Sequence, residues 1–314
     1  MFRFILRRLL SGIVLLFVIS TIAYSLLYVG GGDIARRILG QMATEEGVAQ
    51  KTAALGLDRP LAVQYVDWLS HAVRGDLGTS WFTGQLVTVG ITSRVGVTLS
   101  LVIGAILVTA IVAVVLGVWA AVHGGWADKV VQAVSILGFA IPGFLVALGL
   151  VTLFALNLKW FKPTGYVPLT ESPSGWLATV TLPIIALAIG SIAGVAQQVR
   201  GSVTDALRQD YVRTLRSRGL SFNRVVYKHV LRNAGGPALA VLAVQFVGLL
   251  GGAVIVEQIF AIPGLGQVAV TATTQGDIPM VMGLVVATAI IVVVVVNPLI
   301  NLLQGWLNPK VRLS

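Results

Sequence analysis

Few residues in this sequence have both the type and the spacing that chemistry demands. The histidines His71, His123 and His229 lie far apart, so no histidine metal cluster is expected. The chain has no cysteine, which excludes disulfides, thiolate metal sites and a cysteine nucleophile and leaves the redox compartment open. A phosphate loop of the form Gly-x4-Gly-Lys-Ser/Thr does not occur, and no lysine follows a glycine anywhere. Neither His-Glu-x-x-His nor Gly-x-Ser-x-Gly is present, and the acidic residues are scattered. An enzyme is therefore not expected, and no cofactor. Two features remain: one carboxylate in an apolar run, and one segment dense in arginine.

The carboxylate is Glu257, in Val254-Ile255-Val256-Glu257-Gln258. A charge at the centre of a membrane helix costs about 2.5–3.5 kcal/mol on insertion scales, so such a group must face protein or water. Glu257 is a candidate for the wall or gate of a translocation pathway, with a structural hydrogen bond as the competing role. Asn157, Gln197, Gln198, Gln245 and Asn297 are polar handles with the same two readings.

The basic segment runs from Arg200 to Arg232 and holds eight arginines and lysines. Within it Leu207, Tyr211 and Leu215 recur every four residues with Val212 beside them, an apolar helical stripe. Gly219 ends that helix after a basic last turn containing Arg216 and Arg218. The residues alone leave two roles open, a helix that docks on a partner and a basic loop lying on anionic lipid. Nucleic-acid binding is not expected, since no recognition fold surrounds the segment.

The elements that must position these features are membrane helices. The 314 residues are 56% hydrophobic and 11% charged, against roughly 25% charged in soluble domains. A span needs about 20 mostly apolar residues, and six charge-free stretches qualify: Leu9–Gly32, Val95–Ala127, Val130–Leu158, Ser172–Val199, Asn233–Val256 and Ile278–Pro309. The first follows Arg7-Arg8 and runs on longer than a secretory signal core with no small-residue cleavage site, so it reads as an uncleaved span. Gln258–Gly276 is also uncharged, but Ile262-Pro263-Gly264-Leu265-Gly266 interrupts it, which reads as a loop or re-entrant piece. Continuous apolar runs mean helices, because barrel strands would alternate over about 10 residues. Glycines inside the runs, among them Gly104, Gly117, Gly138, Gly149, Gly248, Gly251 and Gly252, suit close helix packing. The fold class is thus all-α and polytopic, with about six transmembrane helices, a cytoplasmic helix and an external insertion after the first span.

Basic residues near the span ends orient the chain. With the N-terminus inside, the cytoplasm holds Arg3, Arg7, Arg8, Lys129, the eight from Arg200 to Arg232, Lys310 and Arg312, fourteen of the 22. Both termini are then cytoplasmic, and the net charge of +10 reflects orientation. The domains read as residues 1–30, an N-terminal span; 31–94, an extracytoplasmic segment; and 95–310, a five-helix core carrying a cytoplasmic loop at 200–236. In the external segment Leu61, Tyr65 and Leu69, with Val66 and Val73, suggest an amphipathic helix that packs on the span ends or supports a partner. Asp58-Arg59-Pro60 and Asp76 shape its flanking turns.

The basic segment also carries a resemblance. Asp210-Tyr211-Val212-Arg213-Thr214-x-Arg216-x-x-Gly219-Leu220-Ser221, then His229-x-Leu231-Arg232-Asn233-Ala234 and Pro237, resembles the coupling loop of ABC importer permeases, in particular the dipeptide/oligopeptide/nickel family. Against that superfamily's Glu-Ala-Ala-x-x-x-Gly pattern the matching positions are Arg213, Thr214, Leu215 and Gly219, with Leu215 departing from the usual alanine. Agreement extends through Arg7-Arg8-Leu9-Leu10, Leu55-Gly56-Leu57-Asp58-Arg59-Pro60, Arg74-Gly75-Asp76-Leu77-Gly78-Thr79-Ser80, Gly84-Gln85, Ile262-Pro263-Gly264-Leu265-Gly266 and Leu307-Asn308-Pro309-Lys310-Val311-Arg312.

The resemblance implies a permease subunit in the bacterial cytoplasmic membrane that forms half of a translocation pathway with a second, homologous permease. It implies two separate ATPase subunits, which bind and hydrolyse ATP, and an extracytoplasmic peptide-binding protein that delivers di- or oligopeptides. Nickel chelates or glutathione are the alternative cargo, and a stand-alone channel or secondary transporter is the alternative mechanism. Coupling to the ATPase is implied for Asp210, Tyr211, Arg213, Thr214, Leu215, Arg216, Arg218 and Gly219.

Overall fold

A computed structural model describes residues 2–30 and 34–296. The first apolar run forms α1 (Phe2–Gly30). Three short helices follow, α2 (Ile34–Leu39), α3 (Glu45–Ala54) and α4 (Leu61–Ala72). At the start of α3 the Thr44 hydroxyl accepts the Gly47 N–H, and Glu45 and Glu46 lie at the positive helix end. Helix α5 (Val87–His123) begins before the apolar run and carries Arg94 inside it. Arg94 folds back, its Nη1 donating to the Gly90 carbonyl at 3.1 Å.

Helices α6 (Gly125–Ala140) and α7 (Gly143–Leu150), the latter prolonged by a π-helical turn at Val151–Asn157, occupy the run expected as one span. They are bent by 94°. The cause is local: a residue before proline is pushed out of the helical region, and Ile141, preceding Pro142, sits at φ −89°, ψ 119°. Helix α8 (Pro173–Leu207) starts under a Ser172 cap with proline in its first turn. It extends past the apolar run, so Arg200 is helical. After α9 (Asp210–Ser217) come α10 (Phe222–Val225) and α11 (Leu231–Ile259), joined by a π turn at Val226–Val230 into one rod. Most of the uncharged segment expected as a loop or re-entrant piece is α12 (Leu265–Gln275), closed by left-handed Gly276 and far shorter than the roughly 20 residues a crossing needs. Last comes α13 (Ile278–Ile290) with a π turn to Val296.

Four helices among the described residues are long and apolar enough to cross a membrane, within α1, α5, α8 and the α10–α11 rod; the bent α6–α7 pair is a fifth if it counts as one span. The sixth expected run begins with α13 and continues beyond the described residues, as do Asn297, Lys310, Arg312 and the Leu307–Arg312 motif. Six is therefore an approximate count.

The chain divides into two units, one of residues 1–96 and 264–293 and one of residues 97–263 and 294–314. In the first, α1 packs on α4 and α13. Tyr24, Ile34, Tyr65, Ile278 and Met282 form its buried cluster. Helix α4 hides Gln64 and Tyr65 fully and Leu61, Trp68, Leu69 and Ala72 partly, the i, i+3, i+4, i+7 stripe of an amphipathic helix. The expected stripe is corrected at Val66 and Val73, which are 62% and 80% exposed. Val66 falls off that face, and Val73 lies past the last turn. Ser20 and Tyr65 share a hydrogen bond of 2.8 Å, and Thr21 donates to Tyr65 at 3.0 Å.

In the second unit α8 is the central helix, flanked by α6, α7 and α11. A Cβ on Gly117 would lie 2.7 Å from the Val199 Cβ and one on Gly138 3.0 Å from that of Ala193, so these glycines permit close helix approach. Gly149 and Gly251 have nothing within 4 Å of such a Cβ, so close packing within the chain accounts for only part of the expected set.

Candidate functional site

The basic segment is built from its backbone upward. Helix α8 ends at Leu207 and α9 begins at Asp210, so Leu207 belongs to the preceding helix and the expected four-residue stripe is not a single helix. Its members nonetheless converge. Val212 is 6% exposed, and Tyr211, Leu215, Leu207, Leu220 and Phe222 pack with it on a cluster that includes Val199, Val203, Val225, Val226 and Val230. The rest of α9 faces outward: Asp210, Arg213, Thr214, Arg216, Ser217 and Arg218 are all exposed.

The end of α9 is a full Schellman closure. Gly219 N–H donates to the Arg216 carbonyl at 3.0 Å and Leu220 N–H to the Leu215 carbonyl at 3.3 Å, while the two leucines share the apolar cluster. Gly219 holds φ at 82°, yet a Cβ there would meet nothing within 4 Å. Backbone conformation and not space makes glycine the fitting residue. The outer face stays uncommitted. Arg213 and Asp210 approach at 3.8 Å with side chains 83% and 95% exposed, a geometry that holds neither firmly. Arg216 lies 5.6 Å from the centre of the Phe222 ring. Thr214 donates to the Asp210 carbonyl at 3.1 Å, so it adds to the surface without a free donor. The arrangement presents a short, cationic, pre-formed helix on an apolar seat.

One anchor here was not legible as such. Arg200 donates through Nε to Asp128 Oδ1 and through Nη2 to Oδ2 at 2.7 Å, and Gln132 donates to the same carboxylate at 3.1 Å. The pair ties α6 to α8 at the start of the basic segment; in the sequence Arg200 counted only toward orientation. The Tyr211 hydroxyl is shielded and has no hydrogen-bond partner among the described residues.

Glu257 lies apart from this surface. It is fully buried, accepts from Thr98 Oγ1 at 2.6 Å, and its carbonyl accepts the Ile262 N–H at 2.9 Å. The bond joins α5 to α11. Of the polar handles, Gln198 donates to Ser202 at 3.1 Å, and Asn157 is exposed. The first unit holds an acid not singled out beforehand: Asp277, 2% exposed, accepts from Ser80 Oγ at 2.5 Å and Trp81 N–H at 3.2 Å while capping α13. Gly276-Asp277-Ile278-Pro279 was the available signal, a helix stop followed by a cap and a first-turn proline.

Comparison with known proteins places the whole chain. The family described as "Binding-protein-dependent transport system inner membrane component" matches residues 113–313, and its N-terminal companion matches residues 1–102. A putative peptide transport system permease protein of Brucella abortus is 37% identical over 309 residues, 98% of each chain. A probable peptide ABC transporter permease protein of Sinorhizobium fredii is 34% identical over 98% of this chain and 99% of the relative. The glutathione transport system permease protein of Salmonella typhi is 32% identical over 99% of each. Among solved structures, an inward-facing form of the MetNI methionine ABC transporter superposes with a TM-score of 0.54 at 16% identity, covering 69% of this chain and 96% of that one. That likeness speaks for the fold alone.

Proposed function

This chain belongs to the family of binding-protein-dependent transport-system inner-membrane components, and from that premise we propose that it carries short peptides inward as half of a translocation pathway. It is an integral inner-membrane protein and the permease of an ABC transporter, a non-enzymatic subunit. In the proposed assembly a second, similar permease supplies the other half and two ATPase subunits hydrolyse ATP. An extracytoplasmic binding protein delivers the cargo. Residues 1–30 form the first span, residues 31–94 lie outside and both termini face the cytoplasm.

The observation that carries this reading is the construction of α9. Its inner side, Tyr211, Val212 and Leu215, is sunk in the core of the helical bundle, and its outer side, Asp210, Arg213, Thr214, Arg216 and Arg218, is exposed. A helix so seated transmits a push in either direction. An ATPase that contacts the outer face differently in its open and closed states shifts the permease equilibrium by that difference in binding energy. Gly219 fixes where the lever ends. Glu257 is proposed as a brace between α5 and α11 near the pathway, through its bond to Thr98.

Di- and oligopeptides are the proposed cargo, because the Brucella and Sinorhizobium relatives are named for peptide transport. Glutathione, itself a short peptide, is the second reading, favoured by the Salmonella relative. The chain has no native cysteine, so Arg216→Cys gives a single thiol for crosslinking. In the reconstituted transporter it is expected to crosslink to the ATPase subunit in proportions that change when ATP is bound. Crosslinking to lipid-directed reagents only, or peptide uptake by this chain alone in proteoliposomes, would overturn the reading.

A further inference from the structure

Two external motifs, Leu55–Pro60 and Arg74–Ser80, are not used by the coupling mechanism, and they meet in one cavity. The cavity has a volume of 280 Å³ and lies wholly within the first unit; Arg59 of one motif and Asp76 of the other line it, together with Tyr24, Asp67, Trp68 and Trp81. That volume is just under the roughly 300 Å³ at which sites for small organic ligands begin, room for one or two amino-acid residues and not for an extended chain.

Its polar groups are pre-set. Gly56 holds φ at 67°, and a Cβ there would lie 2.5 Å from Arg59 Nη2, so the absent side chain leaves the guanidinium its place. Arg59 Nε donates to the Gly56 carbonyl at 3.4 Å and Nη2 to Asp67 Oδ2 at 3.2 Å. Asp76 Oδ1 accepts the Gly78 N–H at 2.9 Å, and its second oxygen accepts no hydrogen bond among the described residues. Two carboxylates face one guanidinium, and aromatic rings wall the cavity. An ammonium group answers the surplus carboxylate and the ring faces.

We propose that this cavity binds the amino-terminal end of a short peptide. The ammonium sits at Asp76, against the aromatic wall, and the first side chain lies toward Trp81 and Tyr24. The proposal rests on the reading of this chain as a peptide permease with residues 31–94 outside the membrane, and it adds a peptide site on the permease itself.

The test uses the complete transporter in nanodiscs without the binding protein, titrated with dialanine, N-acetyl-dialanine and alanine amide and followed by calorimetry. Dialanine and alanine amide are expected to bind saturably. Acetylation and Asp76→Asn are each expected to weaken dialanine binding by about tenfold, the loss of one hydrogen bond to a charged partner. Equal binding of the acetylated peptide, or unchanged binding in the variant, would overturn the proposal. So would a variant that loses docking of the binding protein while free peptide never binds, which would make the cavity a socket for that protein. ATP-driven peptide uptake by the whole transporter is measured in parallel. Uptake without cavity binding sinks this inference alone, whereas no peptide uptake under any condition sinks the function from which it starts.

Discussion

Helices α4 and α9 both lie outside the long spans and both are amphipathic, but they are seated by opposite chemistry. Helix α4 buries polar groups. Gln64 donates to the carbonyls of Leu57 and Arg59 at 3.3 and 2.7 Å, and the Tyr65 hydroxyl sits among Ser20 and Thr21 of α1. Stacking between Tyr65 and Trp68, with rings 6.0 Å apart, completes that face. Helix α9 rests on Val212 and Leu215 and keeps its charges outside. Hydrogen bonds are directional and hold one register, whereas apolar contact tolerates small shifts. A fixed platform fits the first kind of seat, and the proposed lever, which must move with its partner, fits the second.

Substitutions at three positions break or sharpen this contrast. The largest effect is expected from Val212→Glu, which places an unpaired carboxylate beneath α9 at a cost of about 3–5 kcal/mol. ATP-dependent uptake should fall to background, and trypsin should cut after Arg213, Arg216 or Arg218 faster than in the parent. Undiminished uptake would show that the helix does not depend on its apolar seat. Gln64→Leu keeps the size of the α4 side chain and removes its hydrogen bonds, for an expected loss of roughly 1–3 kcal/mol. Val212→Leu should cost less than about 1.5 kcal/mol. Thermal unfolding of the purified transporter ranks the two, and equal losses would erase the distinction between the seats. The effect expected at Gly219 is on coupling. Alanine there must adopt a left-handed conformation at a cost of about 1–2 kcal/mol, while asparagine tolerates it better. The ratio of peptide transported to ATP hydrolysed should drop more for Gly219→Ala than for Gly219→Asn, with assembly unchanged.

Much of the site was readable because its signals are local. Gly219 and the basic turn before it mark the end of α9 within a few residues, and the face made by Tyr211, Val212 and Leu215 follows from helical period. The start of the helix was less visible. Nothing in the apolar spacing separates Leu207 from Tyr211; the break at Arg208-Gln209 shows only in the backbone. The bend at Ile141-Pro142 had a local signal, a proline within an apolar run, but its size depends on what the two halves pack against. The ion pair of Asp128 with Arg200 spans 72 positions, and Asp277 reaches Ser80 across 197. No periodicity reports such partners.

The sequence by itself determined the helical, membrane-embedded character of this chain, the position of its long apolar runs and the outward charge of α9. Those depend on properties each residue carries into any context, namely hydropathy, backbone freedom and charge. Tertiary structure alone decided that Glu257 is sealed against Thr98, that the Leu55–Pro60 and Arg74–Ser80 motifs close one cavity, and that Gly117 and Gly138 sit at helix crossings while Gly149 and Gly251 do not. Those outcomes depend on which surfaces distant in the chain come to share, and burial and hydrogen bonding are properties of the pair.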